Sequence, residues 1–247
     1  MVKLSVNVNK IATLRNSRGG AIPSVLEAVR VCLDAGAPGI TVHPRADERH
    51  ITPRDVRDIA ALLADEQPAE FNIEGDPRPD LLTLVREVKP TQCTLVPVVP
   101  GEITSQAGWP PETSSEAVAP VVADLRAAGI RVSLFVDPQE APIRWAAAMK
   151  ADRVELYTEP FARAFERGPE AARESFAAYA RAAELAASLG LGVNAGHDLD
   201  LENLVLFRSL PHLDEVSIGH ALVSHAVFVG LARSVRDYID LLAPRER

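Results

Sequence analysis

Short runs rich in apolar and β-branched residues recur along the chain. Each is followed by a polar stretch and then by a segment whose apolar positions repeat every three to four residues. The runs are Leu4–Val8, Gly39–His43, Glu70–Glu74, Cys93–Val96, Arg131–Val136, Arg153–Tyr157, Gly192–Ala195 and Glu215–Ile218. Their length and β-branched content predict strands. Helical periodicity covers Ile22–Leu33, Pro53–Leu63, Pro79–Val88, Ser115–Ala128, Gln139–Met149, Pro169–Leu189, Leu201–Ser209 and Ala221–Leu242. Strict alternation of strand and helix implies parallel strands joined by right-handed crossovers. Eight such units close naturally into a single α/β domain, a TIM (β/α)8 barrel with parallel strands spanning residues 1–247. An open doubly wound sheet is the alternative, but no glycine-rich fingerprint follows the first strand. Gly190, Gly192 and Gly196 precede a strand or lie within it, so their spacing is chance.

Local chemistry marks the boundaries. Thr52-Pro53-Arg54-Asp55 supplies an N-cap, a first-turn proline and an acidic third position, Asp137-Pro138-Gln139-Glu140 repeats the pattern, and Thr113 with Glu116 spans a further capping box. Gly36, Gly129 and Gly190 fall where a left-handed residue would close a helix before the next strand. Two connections exceed a simple turn: 97–112, rich in Pro, Gly, Ser and Thr, and Thr158–Gly168. Long βα loops of this kind commonly act as lids, and 97–112 is the candidate lid, with a plain surface excursion as the alternative.

Composition narrows the function classes. At 47% hydrophobic residues the chain can build a large core, while no apolar run approaches the roughly 20 residues of a membrane span. The first residues read directly into a strand without a signal-peptide pattern, so a cytoplasmic protein is expected. A net charge of −8 argues against nucleic-acid or anionic-membrane surfaces, so any anion must be met by a local set of groups. Cys32 and Cys93 lack ligand or redox spacing and read as small buried hydrophobes.

In a barrel of this kind chemistry collects at the C-terminal ends of the strands. There the chain presents Asn7, Asn9, Lys10, Arg15 and Arg18 after the first strand, His43, Arg45 and His50 after the second, and Asn72 and Glu74 on the third. Asp137 ends the fifth, Glu155 with Thr158 and Glu159 marks the sixth, Asn194, His197 and Asp198 the seventh, and Gly219 and His220 the eighth. Four of the six histidines fall on this one rim. His43 and His197 come from different strands and can converge, one taking a proton while the other gives one. Glu74, at the edge of an apolar barrel, is placed where desolvation raises a carboxyl pKa toward that of a useful base, with a salt bridge to Arg18 or Arg45 as the alternative. Glu155 can stabilise a cationic intermediate or simply orient a neighbour. Ser217–Ala221 opens a helix directly after the last strand, a common phosphate-binding arrangement, and Gly230 is placed to end that helix. Arg18 with Gly19-Gly20 adds a cationic loop, and Arg45 with His50 can hold a second anion. No His-Glu-x-x-His, paired-cysteine or acidic-loop spacing suggests a metal.

Several of these stretches together resemble the pyridoxine 5′-phosphate synthase family of deoxyxylulose-dependent vitamin B6 biosynthesis. The carriers are Val6-Asn7 with 11–19, Gly39–His43 with 49–52, Asn72-Ile-Glu74, Leu95-Val-Pro97, Val132–Phe135, Val193–His197 and Ile218–Ala221, spread over nearly the whole chain. The resemblance implies a transferase that condenses 3-amino-2-oxopropyl phosphate with 1-deoxy-D-xylulose 5-phosphate, giving pyridoxine 5′-phosphate, phosphate and water, with no cofactor and no metal. It further implies that His43 and Glu74 act as bases, His197 as an acid and Glu155 as a transition-state stabiliser. Asn7, Arg18, Asp198, Gly219 and His220 match positions that hold the aminoketone phosphate. Asn9, Lys10, Arg45, His50 and Thr104 match those that hold the sugar phosphate. A homo-oligomer, specifically an octamer, is expected on the same ground.

The chain departs from the family pattern at three places. Many members read Asn-Ile-Asp-His after the first strand, where this chain has Asn7-Val-Asn-Lys10. Lysine keeps a donor and a phosphate-compatible charge, so altered affinity is expected more than lost function. Asp198 stands where glycine is usual, a change compatible with a backbone contact if its carboxylate turns away to cap a helix. The stretch 98–112 differs from the common version. Two other readings of the residues remain: a different barrel enzyme of phosphorylated substrates, an aldolase or epimerase whose signature would be a Schiff-base lysine, and a non-catalytic phosphometabolite-binding protein.

Overall fold

All eight apolar runs form strands in the computed structural model, which describes residues 1–65, 69–97 and 106–244. They are β1 (Lys3–Asn7), β2 (Gly39–Val42), β3 (Glu70–Gly75), β4 (Gln92–Leu95), β5 (Arg131–Val136), β6 (Arg153–Tyr157), β7 (Gly192–Gly196) and β8 (Leu213–Ile218). Each pairs in parallel with its sequence neighbour, and β1 pairs β8, so the sheet closes into a barrel with no free edge. Eleven helices surround or cap it: α1 (Asn9–Asn16), α2 (Val25–Asp34), α3 (Pro53–Asp65), α4 (Pro79–Val88), α5 (Ser115–Ala127), α6 (Glu140–Ala148), α7 (Glu159–Glu166), α8 (Pro169–Ser188), α9 (Leu204–Phe207), α10 (His220–Val229) and α11 (Leu231–Leu242), counted among the described residues.

Both faces of the barrel wall are buried, yet their chemistry differs. Leu4, Val6, Ile40, Val42, Ile73, Leu95, Val132, Leu134, Val154, Leu156, Val193 and Val216 belong to the apolar core shared with the helices. The alternate positions carry buried polar groups, among them Ser5, Thr41, Asn72, Gln92, Thr94, Ser133, Glu155, Asn194 and Glu215. A strand's period of two separates the two sets. The inward groups bond one another in sequence around the wall: Ser5 Oγ and Thr41 Oγ1 lie 2.6 Å apart, Asn72 Nδ2 donates to Thr41 at 3.3 Å, and Thr94 Oγ1 donates to Asn72 Oδ1 at 3.0 Å. Arg131 Nε donates to Gln92 Oε1 at 2.8 Å, Arg153 Nη1 to Asn194 Oδ1 at 2.7 Å, and Asn194 Nδ2 to Glu215 Oε1 at 3.2 Å. Asn72 and Asn194 therefore belong to this internal network rather than to the rim, because β3 and β7 run on past them to Gly75 and Gly196.

Several local readings require correction. The polar stretch after β1 is helix α1, whose exposed face carries too little apolar periodicity to announce it. The connection Thr158–Gly168 is mostly helix α7, with Phe161 and Ala164 buried, rather than an open loop. Helix α2 starts at Val25, because Ser24 accepts the Glu27 N–H at 3.2 Å. The cap of α5 is Ser114, which accepts from Glu116 N, rather than Thr113, and Gln139, without a side-chain bond, precedes α6 in place of Asp137. The segment 201–209 narrows to α9. Gly230, at φ +86°, divides the predicted helix 221–242 into α10 and α11. Gly36, Gly129 and Gly190 do adopt left-handed φ values of +98°, +81° and +78°. The capping box at Thr52 is also present: Thr52 N donates to Asp55 Oδ2 at 2.8 Å and Asp55 N to Thr52 Oγ1 at 3.2 Å.

Of the candidate lid, 98–105 lies outside the described residues, and Thr104 with it. The part that follows is tied to the barrel wall: Trp109 N donates to Phe135 O and its indole N–H to Leu95 O, both at 2.8 Å, and its ring stacks on Trp145 at 6.0 Å.

Outside the barrel, Phe161, Tyr179 and Phe207 meet from α7, α8 and α9, with Phe161 and Phe207 ring centres 4.9 Å apart and Tyr179 and Phe207 5.4 Å apart. Phe207 is fully buried there. We expect Phe207→Ala to cost about 3–5 kcal/mol, read as a lower denaturant midpoint with unchanged slope. A loss within experimental error would show that this cluster does not anchor α7–α9.

Candidate active site

The strand ends surround a cavity of about 320 Å³ at the mouth of the barrel. It is lined by His43, Glu74, Glu155 and His197, and also by Asn7, Asn9, Lys10, Arg45, His50, Asp198, Gly219 and His220. The four rim histidines expected to converge do so. Arg18 does not join them; it is exposed on the connection between α1 and α2 and is absent from the lining. The cavity also takes in Val96, Phe135 and Leu199, which strand-end reasoning did not single out, and Ser217, read as part of the helix opening but lying within β8. Ser217 was legible in the alternation of β8, two residues beyond the inward Glu215.

His43 follows β2 and is almost fully buried. Its backbone N–H donates to Asn9 Oδ1 at 2.9 Å, while Asn9 N donates to Asn7 Oδ1 at 3.1 Å, so the first turn of α1 is pinned to the end of β2. An aspartate at position 9 would offer the same acceptor, so the departure to Asn9 leaves this brace intact. His43 Nε2 is buried with no hydrogen-bond partner. Burial, reinforced by the neighbouring His50, Arg45, Arg78 and His197, lowers its pKa to about 3. It is a neutral imidazole at physiological pH. His50 lies 6.2 Å from His43, ring centre to ring centre, and is lowered to about 4 by burial and then by Arg45 and Lys10. Its Nδ1 accepts the Ile51 N–H at 2.9 Å, which leaves the proton of the neutral ring on Nε2. Arg15 and Asn16 of α1 hold this segment from behind, donating to His50 O at 3.2 and 2.8 Å, and Arg15 also pairs with Asp55. Arg15 is therefore a brace, pointing away from the cavity it was expected to line.

Glu74 and Glu155 approach from β3 and β6. Neither forms an ion pair among the described residues, which removes the Arg18 or Arg45 salt bridge as the alternative for Glu74. Glu74 accepts a long bond of 3.5 Å from Ser217 Oγ. Desolvation pushes its carboxyl up to about 8, the Ser217 bond opposing and Glu215 adding to the effect. Glu155 is 3% exposed, and its Oε2 has no partner. Burial, then the nearby Glu74 and Glu215, raise it well above the carboxylate range. A Cβ at Gly196 would sit 2.4 Å from Glu155 Oε1, so the absent side chain is what admits this carboxyl. Burial thus raises the carboxyls of Glu74 and Glu155 and lowers the imidazoles of His43, His50 and His197, drawing the two kinds of group in opposite directions.

His197 stands beside Phe135 and Tyr157, at 5.4 and 5.3 Å between ring centres, and burial lowers its pKa. Asp198 is exposed; its carbonyl accepts from Asn203 Nδ2 at 2.9 Å, and Asp200 rather than Asp198 caps the following turn through Glu202 N and Asn203 N. Gly219 precedes α10 where a Cβ would come 3.0 Å from Asn7. That close approach brings the helix start, led by His220, against the end of β1. One side of the mouth therefore offers Lys10, Arg45 and His50, and another offers Asn7, Gly219 and His220 at a helix N-terminus, where the peptide dipoles favour an anion. Among the described residues no three His, Cys, Asp or Glu side chains are grouped to hold a metal ion.

Comparison with known proteins gives a consistent result. The family model described as pyridoxal phosphate biosynthesis protein PdxJ matches residues 4–244. A protein of Bacteroides fragilis named pyridoxine 5′-phosphate synthase is 51% identical over 243 residues, covering 98% of this chain and 100% of that one. A second of the same name, from Leptospira biflexa, is 49% identical over 254 residues and covers 98% of each. Among solved structures, 3-hexulose-6-phosphate synthase superposes with a TM-score of 0.63 over 98% of this chain and 100% of that one, at 12% identity, a likeness of fold alone.

The raised Glu74 carboxyl makes stability depend on pH. A carboxyl raised from 4.5 to about 8 on folding contributes stability that is fully present below its unfolded pKa and is lost as pH rises through the folded value. Relative to Glu74→Gln, wild type should lose stability progressively from pH 4.5 to about 8 and level off above it, as read from paired urea midpoints. A pH-independent difference would contradict the placement of a protonated carboxyl at this position.

Proposed function

The chain belongs to the family of the pyridoxal phosphate biosynthesis protein PdxJ, and from that premise we propose how its rim residues share the work of the synthase reaction. The reaction is the condensation of 3-amino-2-oxopropyl phosphate with 1-deoxy-D-xylulose 5-phosphate to pyridoxine 5′-phosphate, phosphate and water. The observation that carries the assignment is the convergence of His43 Nε2 and Glu155 Oε2, both buried without partners, on the cavity that Glu74 and His197 also line. Unpartnered buried polar atoms are costly unless a ligand completes them.

Lys10, Arg45 and His50 hold the sugar phosphate, with Asn9 and Thr104, while Asn7, Asp198, Gly219 and His220 hold the aminoketone phosphate; Arg18, outside the cavity, has no part in this assignment. Attack of the amine on the ketose carbonyl gives a carbinolamine, and water leaves with a proton from His197 to form the Schiff base. Glu74 or His43 then removes the acidified protons; phosphate is eliminated, one water adds, and ring closure and aromatisation follow with loss of two further waters, so that one phosphate and a net two waters leave per turnover. Glu155, buried in the lining of the same cavity, stabilises the cationic stages. Substrate charge shifts these groups toward their working protonation states: phosphate dianions raise neighbouring imidazoles, and an iminium cation lowers the carboxyls that face it. Lys10 in place of histidine keeps a donor and a phosphate-compatible charge for the sugar phosphate.

The protein works in the cytoplasm as a homo-oligomer, an octamer by family resemblance. Among the described residues no helix is long and apolar enough to cross a membrane. Helix α10 buries only Leu222 and leaves Val227 and Phe228 75% and 88% exposed, with Leu14 of the neighbouring α1 at 59%. A second copy over this face would remove that apolar surface from water.

Glu74→Gln keeps the shape of the side chain and removes its base. Turnover should fall on the order of 10²- to 10⁴-fold while both phosphorylated substrates still bind; an unchanged rate would sink the base assignment. Light scattering should give the mass of eight chains for the wild type and a smaller species for Phe228→Asp. A wild-type monomer would contradict the assembly.

A further inference from the structure

The turn that carries His197 is held in a conformation rare for residues with a side chain. Its φ is +86°, and that of Asp198 is +58°. Residues persist in that region only when their surroundings fix them. Thr158, fully buried at the end of β6, meets the turn repeatedly. Its backbone N–H donates to Gly196 O at 3.0 Å, and its hydroxyl lies 2.6 Å from the same carbonyl and also within bonding reach of His197 O. The single hydroxyl proton is shared between two consecutive carbonyls, which draws them to one point. Thr158 is itself anchored, because Tyr179 of α8 donates its phenolic proton to the preceding carbonyl, Tyr157 O, at 2.5 Å.

Everything that the turn delivers depends on this arrangement. The His197 ring rests against Phe135 and Tyr157, and the Gly196 backbone passes so close to Glu155 that no side chain fits between them. If the turn relaxed to an ordinary φ, the imidazole would leave the aromatic wall and the carboxyl of Glu155 would lose its neighbour.

We propose that Thr158 is the positioning residue for His197: its hydroxyl gathers the carbonyls of Gly196 and His197 and so keeps the left-handed turn that aims the imidazole into the cavity. This rests on the reading of His197 as a proton donor. Thr158 does not line the cavity and acts through His197 rather than on the substrates.

The test compares Thr158→Val, which replaces the hydroxyl by a methyl, with Thr158→Ser, which keeps it, and with His197→Gln. Thr158→Val should lower kcat on the order of 10- to 100-fold and leave KM for the sugar phosphate unchanged, since a displaced proton donor slows chemistry without touching the cationic side of the mouth. Thr158→Ser should restore most of the rate. Adding His197→Gln to Thr158→Val should cost nothing beyond His197→Gln alone. An unaffected kcat in Thr158→Val, equal losses in the Val and Ser variants, or a raised sugar-phosphate KM with normal kcat would each overturn the inference. Should His197→Gln retain full turnover, the donor reading falls and this inference falls with it; a slow His197→Gln beside a fast Thr158→Val defeats the inference alone. If Thr158→Val does not fold, Thr158→Ala against Thr158→Ser decides: a slow alanine and a fast serine variant support it, and equal rates overturn it.

Discussion

The structure depends on a barrel wall that is apolar outside and polar within. Closing eight parallel strands removes every sheet edge but traps the inward side chains away from water. Here those side chains satisfy one another around the ring, from Ser5 and Thr41 through Asn72 and Thr94 to Gln92, Asn194 and Glu215. At the floor Glu70 takes both Lys3 and Arg131. A bonded network of this kind stays rigid; among the described inward atoms without a partner, Ser133 Oγ lies within the wall, while His43 Nε2 and Glu155 Oε2 belong to residues that line the cavity.

From the same enclosure follows the chemistry of the site. Three inward carboxyls, Glu74, Glu155 and Glu215, share one low-dielectric interior and are all raised, while His43, His50 and His197 are lowered. Desolvation leads in every case. In the proposed reaction two phosphorylated substrates bring charge that works against these shifts, which would couple readiness for proton transfer to substrate binding. Lys10, Arg45, His50 and the start of α10 line the cavity and are the groups proposed to receive those anions on an acidic protein whose overall charge would repel them.

Much of this was legible along the chain because a strand's alternation is local. The eight strands, the barrel and the convergence of His43, Glu74, Glu155 and His197 all follow from which residues end each apolar run. What escaped was tertiary. Helix α1 was hidden because its exposed face has no apolar stripe, and Arg15 was misread because its partner Asp55 lies forty residues away in sequence, on the neighbouring βα unit. Thr158 was read only as a rim residue and Ser217 only as the opening of a helix start; their contacts with His197 and Glu74 arise where the strand ends meet in space. Helix α7 was lost in a connection whose single proline and glycine suggested a loop. Asn72 and Asn194 were placed one layer too high, since sequence gives the order of residues along a strand but not the depth at which the barrel begins to open.

The most direct test of the account is to mix the purified protein with 1-deoxy-D-xylulose 5-phosphate and freshly generated 3-amino-2-oxopropyl phosphate, following pyridoxine 5′-phosphate and released phosphate together. Equal amounts of both products, formed at the same rate, are predicted. Binding of both substrates without either product would contradict the synthase assignment and would point to Asn9 and Lys10 as the positions where catalysis had been given up for binding.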